Sequence, residues 1–487
     1  MSKTAGHSAW ESLLLVSLVL GCTGGEGDES STPSSPTREP SPSPQQAETS
    51  PPPQVTPVVE AGFAIATSGC PMAHCDSRLS DQVHLPAPVG EVGIRWHDQD
   101  VQGSNYGLGC SSNGDRVACS LGGSSPVGPF LQVYDALGTR LWNSDLLNFF
   151  AFSSAPLVDD EGGVIAIDTE VILRFDPEGE LLWSQRAAGG IPVSPVPLQG
   201  GLLFVSGLGG PMAVYDSITG KLLEEQTLEE VWRDQPGRFD SRNSAVTMGK
   251  RAYVSTEFIP DAGVNEEEPR PARLYALDFD PAASPGSRLK VAWYFEFGAR
   301  SGASPLRVGD VIYFDGDRLS ADDPVDPHFF AVRDGGGAPE LLWRSPIPGP
   351  AFASAPEDPR GGLWTFGQDA PELVRLDTST GAVLQRVDVD NLIDAPGTHN
   401  PASAMSIAEG PGGHPVLMVV AFDDTRLDSW VVAIDLEDEQ LVWKVPVGDE
   451  FIEWSAAQLP IALTPTGEPV VVLSTFAAGV LGLGVME

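Results

Sequence analysis

Positive charge is scarce in this 487-residue chain: 28 Lys and Arg stand against 67 Asp and Glu, a formal net charge of −39. A field of that sign repels phosphate backbones and anionic headgroups, which argues against a nucleic-acid partner and against direct contact between the folded surface and an anionic bilayer. Long apolar runs are missing as well. The strongest near the amino end, "LLLVSLVL" (13–20), falls far short of the roughly 20 residues needed to span a bilayer. Histidine is sparse, seven in all, with no H-E-x-x-H pair, and neither a G-x-S-x-G elbow nor a Walker-type loop occurs. The tract "DGDRLSADD" (315–323) places Asp315 and Asp317 as a calcium loop would. Leu319 and Ser320 then stand where such a loop needs Asp or Asn and Gly, so it reads as an acidic inter-strand loop. Helical periodicity is rare too, whereas 53 Gly and 44 Pro bound many short β-branched runs, which favours an all-β fold.

What is present at the amino end points to export. Lys3 ahead of the apolar run and "VLGC" after it look like a bacterial lipoprotein signal with its lipobox. Residues 1–21 are then a signal peptide and Cys22 carries the lipid; a plain secretory signal is the alternative. Thr23 after that cysteine favours outer-membrane sorting, by analogy. Residues 22–60 hold almost no large apolar side chain and are rich in Pro and Ser, so they read as a disordered, extended tether. A lead-in segment (61–91) precedes the folded part (92–487), which is expected to be monomeric and to meet the membrane only through the anchor.

With Cys22 lipidated, four of the five cysteines remain for an oxidising compartment. Cys70 and Cys75 can close a short loop, and Cys110 and Cys119 flank an Asn113-Gly114 turn and can bridge two adjacent strands. A metal site of Cys70, His74 and Cys75 is the rival reading of "CPMAHC", without a second ligand pair nearby.

A unit recurs along the rest. Each copy opens on a serine before an apolar strand: Ser154, Ser194, Ser244, Ser304, Ser354, Ser403 and Ser455, spaced by 40, 50, 60, 50, 49 and 52 residues, with one more copy near Tyr106. Three further strands follow, here lettered b, c and d, as in "GGVIAI", "LQVYD" and "RLWNS". Six of 11 Trp occupy the same place in strand d: Trp96, Trp142, Trp183, Trp293, Trp343 and Trp443. A large aromatic at a fixed position suits packing against a neighbouring unit, with aliphatics replacing it at Leu222-Leu223 and Val383-Leu384. Eight sets of strands a to c can be counted. The last lacks a strand d, while "VGIRWHDQ" (92–99) is a strand d with nothing before it. The expectation is an all-β, eight-bladed β-propeller of four-stranded antiparallel blades, its ring closed by 92–99 pairing with the last blade.

The turns "YDSITGKLL" and "LDTSTGAVL" resemble the pyrroloquinoline-quinone-type propeller repeat, and "CPMAHCDSRLSD" (70–81) resembles that family's amino-terminal signature, with Cys70 where Trp is usual. The resemblance covers about 70–487. It implies the fold, and for the enzymes of that family it implies a quinone and a calcium ion under a vicinal Cys-Cys disulfide. No two cysteines are adjacent here, the calcium ligands map onto no motif, and a c-type haem site is missing. Neither pyrroloquinoline quinone nor calcium is therefore expected, and no catalytic or metal-binding residue is assigned.

A binding site is expected at the axial funnel, lined by residues ahead of each strand a: Tyr106, Phe152, Arg242, Asn243, Arg300, Phe352, His399, Asn400, Glu453 and Trp454. Side chains that merely plug the channel are the plainer reading. The insertion at 259–273 adds a loop to blade 4. The expected function is a lipid-anchored envelope module that binds or scaffolds proteins or small ligands without catalysis. It is similar in plan to the propeller lipoprotein of the outer-membrane β-barrel assembly machinery. A quinone-dependent oxidoreductase and a glycan-binding propeller are the alternatives.

Overall fold

The computed structural model describes residues 63–99, 109–121, 129–148, 151, 154–241, 243–263, 270–298, 303–316, 329–347, 354–366, 370–401, 403–423, 425–426, 428–448, 458–475 and 479–486. Cys22, the 1–21 signal and the 22–60 tether lie outside them.

The recurring Asp explains how one strand turns into the next. After strand Leu131–Asp135, Asp135 Oδ1 accepts the N–H groups of Leu137 and Thr139 at 2.9 and 2.8 Å. Asp176, Asp216, Asp377 and Asp435 cap the c–d turns of their blades in the same way. A short side chain that accepts from its own backbone two to four residues on makes a tight turn without outside help.

The recurring Trp then latches onto that turn from the blade before. Trp96, Trp142 and Trp343 each donate Nε1–H to the carbonyl one residue past the Asp, at Ala136, Pro177 and Thr378. Their rings lie over the turn glycine: a Cβ on Gly138 or Gly381 would sit 2.5 Å from the rings of Trp96 and Trp343. Both glycines have positive φ (81° and 70°), so backbone and neighbour alike exclude a side chain. Trp293 instead donates to the carboxylate of Asp334 at 2.9 Å. Where Trp is missing, the expected aliphatics serve in one case of two: Leu222 and Leu223 pack against the buried cluster that holds Leu277, Leu289 and Trp293 of blade 4. Val383 and Leu384 are exposed, and Arg360 donates to the Leu436 carbonyl. Ahead of blade 4, the Glu224 carboxylate accepts from Gly286 and Arg288 N–H groups. A polar bond to the turn does the same positional work as the indole.

Eight blades result, spanning 109–144, 157–186, 196–226, 246–297, 306–345, 363–388, 406–448 and 461–485. Val92–Asp98 pairs antiparallel with Val480–Val485 and supplies the last blade's outer strand, so the ring closes as expected. Trp443, facing this seam, donates to the Pro88 carbonyl at 2.8 Å; the lead-in stands in for the turn that the chain ends interrupt. Behind the seam, Val470 and Val472 of blade 8 pack with Val117 and Tyr134 of blade 1 in one buried cluster, with Trp96 against it.

Three blades depart from four strands. Blade 6 shows three, with a single bridge, Glu357 to Leu363, for its strand a. Blade 4 carries an added hairpin, Leu228–Trp232 and Gln235–Ser241, and its long strands Arg251–Pro260 and Ala272–Phe279 reach into the 259–273 insertion, of which 264–269 lies outside the described residues. Blade 7 takes up Asn400–Pro401 and, parallel to its inner strand, Gln82–Pro86.

Candidate functional site

The stretch "CPMAHCDSRLSD" is the hub of the wheel. The inner strands of six blades each donate one backbone N–H to it: Ser112 to Cys70, Val158 to Pro71, Thr247 to Ser77, Arg307 to Arg78, Glu357 to Ser80 and Ile407 to Asp81, at 2.7–3.1 Å. Only a segment on the ring's axis can reach strands from six blades. Blade 8 joins through Gln458, whose amide donates to Met72 and Cys110 carbonyls while its oxygen accepts the His74 N–H. Two of that buried amide's three bonds go to the hub and the third to blade 1.

Turning so tightly puts His74, Cys75, Leu79 and Asp81 at positive φ. Non-glycine residues hold that region only where surroundings over-determine it. Here the hub is held by the Cys70–Cys75 disulfide, and the neighbouring pair Cys110–Cys119 staples the inner two strands of blade 1. Both pairings agree with the expectation. With the Cys70 and Cys75 thiols joined to each other, the metal reading of Cys70, His74 and Cys75 is lost.

Polar groups knot the hub from within. His74 Nδ1 lies 3.0 Å from Asp81 Oδ1 and 2.8 Å from Ser354 Oγ, and Ser354 also donates to the other Asp81 oxygen. All three residues are buried. Loss of hydration pushes the Asp81 carboxyl pKa up, with the His74 and Ser354 contacts opposing. The trio has the members of a hydrolase triad but not its geometry. There, serine and aspartate sit on opposite ring nitrogens, so that the base relays a proton outward. Here both crowd Nδ1. Next to it, the Asp76 carboxylate accepts from the Arg78 and Ser80 backbones, the Ser80 hydroxyl and the Arg78 guanidinium, which also reaches Glu357 at 2.8 Å. Asp76, Arg78, Ser80 and Asp81 carry no periodic signal, and the family-like signature is the only pointer to them, whereas Ser354 falls among the recurring serines.

Of the expected funnel residues, Tyr106, Phe152, Arg242, Arg300, Phe352, Glu453 and Trp454 lie outside the described residues. The remaining three stand at two places, Asn243 ahead of blade 4 and His399 with Asn400 at blade 7. Asn243 accepts the Ser244 N–H through its side chain, ahead of blade 4. His399 is fully buried at blade 7, its Nδ1 2.9 Å from Asp390 and its Nε2 3.2 Å from Asp428, edge-on to Trp430. The bond ties the short helix Val389–Ile393 to strand Asp428–Asp435. Asn400, beside it, is half-buried and its Oδ1 finds no partner among the described residues. Asp423, at the same end of blade 7, accepts backbone N–H groups of Thr398, Thr425 and Arg426 and the Thr425 hydroxyl.

No family model and no curated protein matches this sequence. Among solved structures the chain is similar to the quinohemoprotein alcohol dehydrogenase of Comamonas testosteroni (TM-score 0.56, 12% identity, covering 87% of this chain and 82% of that one). It is also similar to a europium-containing methanol dehydrogenase (0.53, 12%, 85% and 90%) and to BamB from Moraxella catarrhalis (0.48, 12%, 82% and 99%). At such identities the likeness concerns the fold alone: the chain is an eight-bladed β-propeller. The axial carboxylates Asp76 and Asp81 are already engaged by donors of this chain, and neither disulfide joins adjacent cysteines.

Proposed function

We propose that this protein is a lipid-anchored module of the bacterial cell envelope, in the outer membrane, that binds or scaffolds other proteins or small ligands without catalysis. The observation that supports the reading most is the hub. Residues 70–81 fill the axis at the level of the inner strands and spend their polar groups on the blades themselves. What the fold then leaves for recognition is its rim, its inter-blade clefts and the loops above the hub. A net charge of −39 suits electrostatic selection of cationic partners. Lipidation at Cys22, with the Pro-rich tether beyond it, would hold the wheel away from the bilayer.

Crosslinking the full-length protein in intact cells, followed by identification of its partners, tests this reading. Recovery of a defined envelope partner that is lost from a Cys22→Ala strain supports it. The dehydrogenase fold neighbours call for a second arm: the purified protein, given quinone and calcium, is offered alcohols and aldose sugars. Turnover there would replace the binding reading with an oxidoreductase.

A further inference from the structure

A cleft of about 570 Å³ opens between blade 3 and the hairpin added to blade 4. One wall is backbone, Gly209-Gly210-Pro211. The other is the hairpin face that carries the cross-strand pairs Glu229–Arg238 and Val231–Pro236, with Asp261 also lining the space. The walls are locked together by buried Asp240, which accepts the Gly209 N–H and the Arg238 Nε–H, both at 2.9 Å. Thus the guanidinium is matched by a carboxylate beneath it. Glu230 is likewise matched, by Arg273. Among the described residues, Glu229 and Asp261 are left as the cleft's surplus negative charge.

Two features of the hairpin say what could lie there. Its outer strand, Leu228–Trp232, pairs only with Gln235–Ser241, so its other edge is open among the described residues. The two-residue turn Arg233-Asp234, both at positive φ, makes Trp232–Gln235 the closing hydrogen-bonded pair. Pairing alternates from there, which turns the N–H and C=O of Glu229 and Val231 toward the open edge. Pro236 opposite Val231, having no N–H to give, fits that register. Val231 is also 64% exposed, an aliphatic side chain left in water beside two carboxylates.

We propose that this edge and cleft dock an extended peptide segment of a partner protein, which adds as a strand alongside Glu229–Val231. Its backbone takes up the open N–H and C=O groups, an aliphatic side chain covers Val231, and a Lys or Arg two residues away enters between Glu229 and Asp261. Strand addition supplies affinity and the alternate side chains supply selectivity. The inference rests on the reading of the protein as a binding module and names one surface and one partner chemistry for it.

The test uses the full chain and a fluorescein-labelled, end-blocked peptide Lys-Thr-Val-Thr-Lys at low ionic strength, read by anisotropy. A Glu-Thr-Val-Thr-Glu peptide and a version N-methylated at alternate amides serve as comparisons. The Lys peptide should bind, and both comparison peptides should bind at least about tenfold more weakly, the scale of one lost charged contact or strand pairing. E229Q/D261N should weaken the Lys peptide by a similar factor while its melting temperature stays at the wild-type value. Absence of Lys-peptide binding at millimolar concentration, or equal binding by E229Q/D261N, overturns the proposal. Since crosslinking in cells is a separate readout, a partner captured there with no peptide binding here would sink this surface and leave the general reading standing.

Discussion

At the scale of single residues, buried carboxylates fasten both the hub and blade 7, and their environments push them in opposite directions. Asp81 has lost water and gained few donors, so its carboxyl is driven up. Asp423 has also lost water, which opposes ionisation, but the Thr425 hydroxyl and the N–H groups of Thr398, Thr425 and Arg426 outweigh this and hold it at about 2. An acid depressed in the folded state stabilises that state at pH values above its unfolded pKa of 3.8, and the contribution fades as pH falls from there to about 2. Asp423→Asn should therefore melt below wild type at neutral pH, with the two curves converging as pH drops from 4 to 2. Melting temperatures across that range check it; a gap that stays constant would mean Asp423 acts by shape rather than charge. None of this was legible from sequence, because the donors lie in two loops separated by more than twenty residues. Cys70–Cys75 and Cys110–Cys119 were legible, because short spacing and a hairpin turn between the members confine the partners.

At the scale of elements, the c–d turn and the preceding blade's Trp form one device. Sequence alone showed that Trp recurs, since a fixed place in a repeat is visible as periodicity. It did not show that the ring lands on the turn glycine, because that contact joins one repeat to the next. Nor did it show that Arg360 or Glu224 would replace Trp, since a hydrogen bond to a carbonyl leaves no compositional trace. Two glycines of blade 6 separate the contributions. Gly361 has φ of 88° with nothing within 4 Å of where a Cβ would stand, whereas Gly381 at 70° lies under Trp343. Gly361→Ala should cost only the left-handed backbone penalty, about 1–2 kcal/mol. Gly381→Ala must also displace a packed indole and its bond to Thr378, raising the cost to roughly 3–5 kcal/mol. Urea denaturation of both variants measures the difference; equal losses would show that the Trp latch adds nothing beyond turn geometry.

For the whole molecule, ring closure was foreseeable because the two chain ends each lacked what the other supplied. The hub was not: "CPMAHCDSRLSD" has neither strand nor helix period, and its shape is dictated by strands up to more than three hundred residues away. Six blade-to-hub backbone bonds, at about 1 kcal/mol net each, come to roughly 6 kcal/mol, which is comparable with the entire stability of an ordinary domain. An axis so bonded makes the wheel fold as one unit rather than blade by blade, unlike open repeat arrays whose units contact only their neighbours. The amino-terminal segment then has two separable parts. Deleting residues 1–62 should leave thermal unfolding unchanged, because the hub and the closing strand both survive. Deleting 1–91 keeps the closing strand Val92–Asp98 but removes the hub, the Cys70–Cys75 disulfide and the Pro88 carbonyl that Trp443 needs. That variant should lose its single cooperative transition in calorimetry. A sharp melt near the wild-type temperature would mean that blade-to-blade packing and the closing strand suffice, and that the hub merely occupies a channel the wheel could hold open without it.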